Sequence, residues 1–432
     1  MCLAAGQAPP IHQQGSSAFT SELMESLGPR LGSLLRQMDK GNTNALALFW
    51  PEAKGKCPIV EPVPGDDRYR RVTFLWRGDA ETTRVSLLGG FPSGSISTPL
   101  SRFASSDLWY LTEIHPTDAR FQYVFHVNGP ERIPWNSRAI REVMEQNHPK
   151  KDPFNPKEFA GWSYVELPEA PAQPWITEQS AVSRGKVTKT TFKSQSLNAE
   201  YPITTYTPPG YDEKGDRCWL MLAFDSGFPM MEVSLNNLLA ARKIPSLVVV
   251  GVGNISGDSR ERDLGGSSEF ASFLADELVP WARSTYHVYG DASHTIIGGT
   301  SRGGFMAIYC GLHHSSIFGK VLALSPTLII APGQSEPNPV WTKEDRGLLS
   351  RQFAVRPLLP LEFYTCVGRY ETFIPFSMVY EARRLHDVLE AKGYRIDYAE
   401  YDGGHAEVCW RGLFANGVMS LTKPISVTKG EQ

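Results

Sequence analysis

Ser301 lies in Gly299-Thr300-Ser301-Arg302-Gly303, after the apolar run Thr295-Ile296-Ile297 and before Gly304-Phe305-Met306-Ala307-Ile308-Tyr309. Strand, sharp turn and helix is the context in which G-x-S-x-G spacing holds a nucleophilic serine. Glycines on both sides let the backbone take a strained turn and let strand and helix pack closely. The hydroxyl is then held out at the carboxyl edge of a sheet. Behind it, the unpaired N–H groups of the helix N-terminus favour an oxyanion. The plain structural alternative is a tight turn whose serine only caps the helix.

A serine hydroxyl is a weak nucleophile until a base takes its proton, and that base is oriented by an acid. His405 is the expected base. It closes Tyr401-Asp402-Gly403-Gly404-His405 after the strand-like run 394–400, and the two glycines free the loop to carry an imidazole over the sheet edge. None of the other histidines has that setting. Glu371 is the expected acid, because it follows the strand-like run 363–368 and precedes a helix from about 375 to 392. Asp402 is its rival, although its place just before Gly403 and Gly404 also suits a plain turn. Glu407 suits the first turn of the next helix, and a dyad with a weakly placed acid stays open.

The backbone N–H of Arg302 is the expected first oxyanion donor. The second is expected from Ser226 or Gly227 in the loop Asp225-Ser226-Gly227-Phe228, which follows the apolar strand 219–224. Another loop, 256–266, leaves its strand at the same end and brings Arg260 and Arg262, which either hold anionic ligand groups or pair with Asp258, Glu261 and Asp263. Beyond His405, Trp410 offers an aromatic wall, or core packing under the loop, and Arg411 a cation. The Arg302 side chain adds a cation beside the nucleophile.

Positioning these groups takes a sheet whose strand ends share one edge. Residues 171–432 alternate apolar strands with helix-like segments, which predicts a mostly parallel sheet covered by helices on both faces, the α/β-hydrolase fold. Residues 41–170 read differently. Alternating runs such as Val72, Phe74 and Trp76, or Phe121, Tyr123, Phe125 and Val127, predict an all-β immunoglobulin-like sandwich. A Pro-rich connector closes it near residue 170. Residues 1–40 are read as a tail and a short helix carrying Leu23, Met24, Leu27, Leu31, Leu34 and Leu35.

A formal charge of −3 over 432 residues argues against a nucleic-acid partner, so attraction for an anionic ligand must be local. Six scattered cysteines with no C-x-x-C pair suit a reducing compartment. No apolar run approaches the roughly 18 residues of a membrane span. The start lacks the basic and apolar regions of a signal peptide, so a cytoplasmic location is expected, with a periplasmic or secreted one only for a truncated start. Oligomeric state is not legible.

With these residues assembled, the chain resembles the enterochelin (enterobactin) esterases, the ferric-siderophore trilactone hydrolases of the esterase-D type. The residues that carry the likeness are Phe49-Trp50, Val72–Arg77, the connector Asp152-Pro153-Phe154-Asn155-Pro156, and Asp402-Gly403-Gly404-His405 with Cys409-Trp410-Arg411-Gly412. The resemblance implies Ser301 as nucleophile, His405 as base, Glu371 as acid and Arg260 as a ligand-facing cation. It further implies a catecholate siderophore as substrate, with iron arriving in the substrate and no cofactor of the protein's own. The N-terminal sandwich would cover the site's mouth or touch the catecholates. Departures are Asp225-Ser226-Gly227 where the family reads D-G-E, and Arg302 where it has an apolar residue. Thr205–Tyr211 is closer to general esterase-D and feruloyl-esterase sequences. Two alternatives therefore stand beside the first reading: a feruloyl-type or general carboxylesterase with a carbohydrate-binding sandwich, and an inactive ferric-catecholate binder.

Overall fold

In the computed structural model the described residues are 27–42, 44–89, 97–130, 133, 142–143, 145–224, 228–330, 347–372 and 377–423. The chain divides into two units. One comprises Met1–Pro171 with Arg369–Ile374 and Asp402–Val408, the other Ala172–Gly368 with Pro375–Tyr401 and Cys409–Gln432.

Among the described residues the first unit has nine strands: β1 (Ile59–Pro62), β2 (Tyr69–Arg77), β3 (Val85–Gly89), β4 (Ser97–Pro99), β5 (Ser101–Arg102), β6 (Leu108–Pro116), β7 (Arg120–Val127), β8 (Glu158–Phe159) and β9 (Trp162–Glu166). They form two sheets, ordered β1-β2-β6-β5 and β4-β3-β7-β9-β8, with every pairing antiparallel. Period-two alternation explains how they close on each other. Phe121, Tyr123 and Phe125 of β7 enter one core with Val72 and Phe74 of β2 and Val85 and Leu87 of β3. Arg120 and Gln122 lie on the opposite face of β7. Two helices, α1 (Pro29–Asp39) and α2 (Ala45–Ala53), pack Leu31, Leu34, Leu35, Phe49 and Trp50 into a second cluster with Leu75 and Leu108. The expected N-terminal helix thus begins at Pro29, after Gly28 at φ 83°; residues 21–26 lie outside the described residues.

The connector motif has a physical reason. Asp152 is buried, and its carboxylate accepts from the Tyr123 hydroxyl at 2.7 Å and from the Phe154 N–H at 2.8 Å. Asn155 donates to the Tyr123 oxygen and to the Tyr164 carbonyl, each at 3.0 Å. The motif therefore ties the departing chain to the aromatic core. Burial pushes the Asp152 carboxyl up to about 6, with the Tyr123 hydrogen bond opposing. A carboxyl raised in the folded state stabilises fully below its unfolded range and loses that contribution as pH rises through about 6. The loss amounts to about 3 kcal/mol for a rise of roughly two pH units in affinity for the proton. Urea unfolding between pH 4 and 7 is expected to show this decline in the parent and a flatter profile in Asp152→Asn. Superimposable profiles would refute the assignment.

The second unit holds an eight-stranded sheet: β10 (Lys186–Ser194), β11 (Ala199–Thr207), β12 (Trp219–Ala223), β13 (Leu247–Val252), β14 (Thr295–Thr300), β15 (Lys320–Leu324), β16 (Glu362–Gly368) and β17 (Arg395–Tyr401). Its order is β10-β11-β13-β12-β14-β15-β16-β17. The sheet is mixed, with its antiparallel pairs at one edge beside parallel neighbours. β10–β11 and β11–β13 pair antiparallel and the other neighbours parallel. Residues 195–198 between β10 and β11 allow only a hairpin, whereas each strand from β13 to β17 is reached through a helical crossover. β14 and β15 are buried along their whole length, as two covered faces require. Strand order reverses at β12, flanked by β13 and β14. In open sheets, ligand sites form outside the carboxyl ends of strands at such a reversal.

Candidate active site

The elbow forms where β14 meets the helix α3 (Arg302–His313). Ser301 has φ 55° and ψ −121°, a conformation costly for any residue with a Cβ. Its surroundings hold it there: the Ser301 N–H donates to the Leu324 carbonyl at 2.9 Å, and the Thr327 and Phe305 N–H groups donate to the Ser301 carbonyl at 3.0 Å. The bracketing glycines are needed for contact distance. A Cβ on Gly299 would stand 2.7 Å from the Gly303 carbonyl carbon, and one on Gly304 3.1 Å from the Gly299 oxygen. Ser301 is half-buried, with its hydroxyl 3.2 Å from that of Thr327.

Parallel pairing puts the carboxyl ends of β14, β15, β16 and β17 along one edge, with Gly368 opposite Tyr401 in register. The segments that continue from β16 and β17 carry Glu371 and His405. His405 Nδ1 lies 2.8 Å from Glu371 Oε2, with the carboxylate side chain 0 % exposed and the imidazole 21 %. Asp402, the rival acid, spends its carboxylate on the Arg369 guanidinium. Burial pushes the Asp402 carboxyl up to about 6, with Asp118 adding to the rise and Arg369 opposing it.

The arginines have more internal roles than sequence suggests. The Arg302 guanidinium is buried with Nε 2.7 Å from Glu261 Oε2, so this side chain is committed to an ion pair rather than offered as a cation beside Ser301. Arg260 is 27 % exposed and 3.7 Å from the other Glu261 oxygen. Arg262 pairs with Asp263 at 2.8 Å, and Asp263 also accepts from the Tyr201 hydroxyl at 2.9 Å. Arg260 and Arg262 sit on a short helix, Gly257–Asp263, rather than on an open loop, because Ser256 and Ser259 form a reciprocal capping box.

Trp410 and Arg411 also depart from a ligand-facing placement. Trp410 is buried, and its indole N–H faces the hydroxyls of Ser325 at 3.0 Å and Tyr401 at 3.2 Å. Arg411 is buried with Nε donating to Gln173 at 2.8 Å. Their helix, α4 (Glu407–Thr422), turns both inward, which the spacing of a single motif does not disclose. Ser226 and Gly227 lie outside the described residues. Sequence reasoning passed over Thr327; the available signal was its place just after β15, the neighbour of the elbow strand. Among the described residues no group of three or more His, Cys, Asp or Glu could hold a metal ion, and no helix is long and apolar enough to cross a membrane.

Residues 194–421 match the Esterase family model, and residues 71–176 match the model for the N-terminal domain of enterochelin esterase. The iron(III) salmochelin esterase of Escherichia coli O6:H1 is 25% identical over 409 residues, covering 90% of this chain and 96% of that protein. The iron(III) enterobactin esterase of Dickeya dadantii is 26% identical over 410 residues, covering 85% and 91%. Among solved structures, the ferric enterobactin esterase of Salmonella typhimurium aligns with TM-score 0.69 at 22% identity, over 87% of this chain and 98% of that one. At that identity the likeness establishes the fold.

Proposed function

This chain belongs to the Esterase family, and on that premise we propose that it is an enterochelin esterase, a serine hydrolase opening the tri-serine lactone of a ferric catecholate siderophore such as enterobactin. Ser301 is the nucleophile, His405 the base and Glu371 the acid. The observation that carries the reading is the strained, hydrogen-bonded Ser301 turn on the same sheet edge from which the paired His405 and Glu371 segments depart. The Ser301 proton passes to His405 Nε2 while Glu371 holds Nδ1–H and stabilises the imidazolium. The serine oxygen attacks a lactone carbonyl, and the oxyanion accepts from the Arg302 N–H and from an N–H of Ser226 or Gly227. One such donor is worth about 3 kcal/mol in the transition state. Collapse expels the substrate's seryl oxygen, which takes the proton from His405. Water, deprotonated by the same imidazole, then frees the acyl group.

Arg260, with Arg262 beside it, is the cation proposed for a ferric tricatecholate. The iron belongs to the substrate, and the reaction asks no cofactor of the protein. Opening the trilactone lowers the effective concentration of the catecholates about the metal, which loosens it. We assign residues 41–170 to an immunoglobulin-like sandwich and 171–432 to the esterase domain. The described cysteines Cys57, Cys218, Cys310, Cys366 and Cys409 are all buried thiols, in keeping with a reducing, cytoplasmic setting.

The test incubates the protein with enterobactin, iron-free and ferric, and separates products by chromatography. Linear dihydroxybenzoyl-serine oligomers are expected to appear in place of the trilactone. Release of ferulate from a feruloyl ester with the trilactone intact would instead select the phenolic-ester reading. Tight binding of the ferric complex without turnover would select the binder.

A further inference from the structure

Glu371 and His405 belong to the same compact unit as the N-terminal strands. The contacts that put them there converge on the acid–base pair. Tyr370, the residue before Glu371, is buried in the β core with Phe121 and Phe74. Its hydroxyl lies 3.1 Å from Nδ1 of His115, on β6, whose ring is fully buried and stacked on Phe121 at 4.5 Å. On the other side, His115 Nε2 stands 3.3 Å from Glu113 Oε2. The Tyr370 hydroxyl and His115 Nδ1 are within hydrogen-bond distance, whichever of them donates. The Tyr370 N–H in turn donates to the Gly403 carbonyl at 3.1 Å, linking the acid segment to the base segment. β7 grips the base segment at both ends. The Arg120 N–H donates to the Asp402 carbonyl at 2.8 Å, and Gln122 accepts from the Val408 N–H at 3.4 Å.

We propose that the N-terminal β unit is a positioning element for catalysis, with His115 and Tyr370 as positioning residues that hold Glu371 against His405. This rests on reading Glu371 and His405 as the acid and base. A hydroxyl anchored on a fully buried imidazole fixes the backbone one residue before the carboxylate. Glu371 has no exposed surface along which to relax. Freeing Tyr370 therefore lets the acid drift, and a displacement of about 1 Å costs on the order of 100-fold in rate.

The test uses the full-length chain with enterobactin as probe. Tyr370→Phe deletes one oxygen from a core residue, and thermal melting with near-UV circular dichroism checks that the fold survives. It is expected to lower kcat by about 10- to 100-fold with KM within about twofold of the parent. His115→Leu is expected to match it. His115→Asn, whose amide reaches the Nδ1 position, is expected to recover most of kcat, which packing alone would not do. Parent-like kcat in folded Tyr370→Phe would overturn the proposal. So would a rise in KM at constant kcat, since that assigns Tyr370 to substrate contact. Ser301→Ala run alongside separates the two claims: turnover by that variant sinks the catalytic reading itself, whereas its inactivity beside an unaffected Tyr370→Phe sinks only the positioning role.

Discussion

Ser301→Ala is expected to abolish lactone opening, lowering kcat by about 10⁵- to 10⁶-fold, with the folded state intact. Alanine keeps the Cβ, so the strain at φ 55° is the same in both proteins. The three backbone hydrogen bonds that hold the turn do not involve the hydroxyl. His405→Ala should remove comparable activity, and the double variant should be no slower than either single one, because the two groups act in one step. Stability separates them. Deleting His405 leaves Glu371 buried with its imidazole partner gone, at a cost of about 3 kcal/mol. Ser301→Ala is consequently the cleaner probe of chemistry, and His405→Ala should melt at a lower temperature. Retained turnover by purified Ser301→Ala would mean that another nucleophile does the work.

Glu371→Gln is expected to cost about 10⁴-fold in kcat with KM nearly unchanged, since a neutral amide neither fixes the tautomer nor stabilises the imidazolium. The expectation follows from burial: a carboxylate 0 % exposed and 2.8 Å from Nδ1 has no solvent to soften its charge. Asp402→Asn should change kcat by less than about threefold. Its carboxylate faces Arg369 and Asp118, and replacing it removes a like-charge clash as well as an ion pair. Steady-state kinetics on both variants decides the matter. A large defect confined to Asp402→Asn would move the acid to that residue.

What the chain spelled out on its own was local backbone demand. Gly299, Gly303 and Gly304 around Ser301 state that strand and helix meet closely, and the space bears this out, since a Cβ would stand 2.7 Å from its neighbour at Gly299 and 3.1 Å at Gly304. Period-two runs such as Phe121, Tyr123 and Phe125 state which face of a strand is buried. That Glu371 and His405 lie together was legible because each follows a strand end, and strand ends in such sheets share an edge. Tertiary structure decided what depends on neighbours distant in the chain. The order of strands beside β14 brings Thr327 to the Ser301 hydroxyl, because β15 turns out to be the neighbour of the elbow strand. Helix orientation turns Trp410 toward Ser325 and Arg411 toward Gln173, burying side chains whose chemistry alone suited a ligand. Glu261 claims the Arg302 guanidinium in the same way. Most consequentially, the segments of Glu371 and His405 join the N-terminal strands through hydrogen bonds spanning more than 250 positions. Residue types prescribe conformations a few bonds long, whereas the partner that satisfies a buried polar group is chosen only when the whole chain has packed.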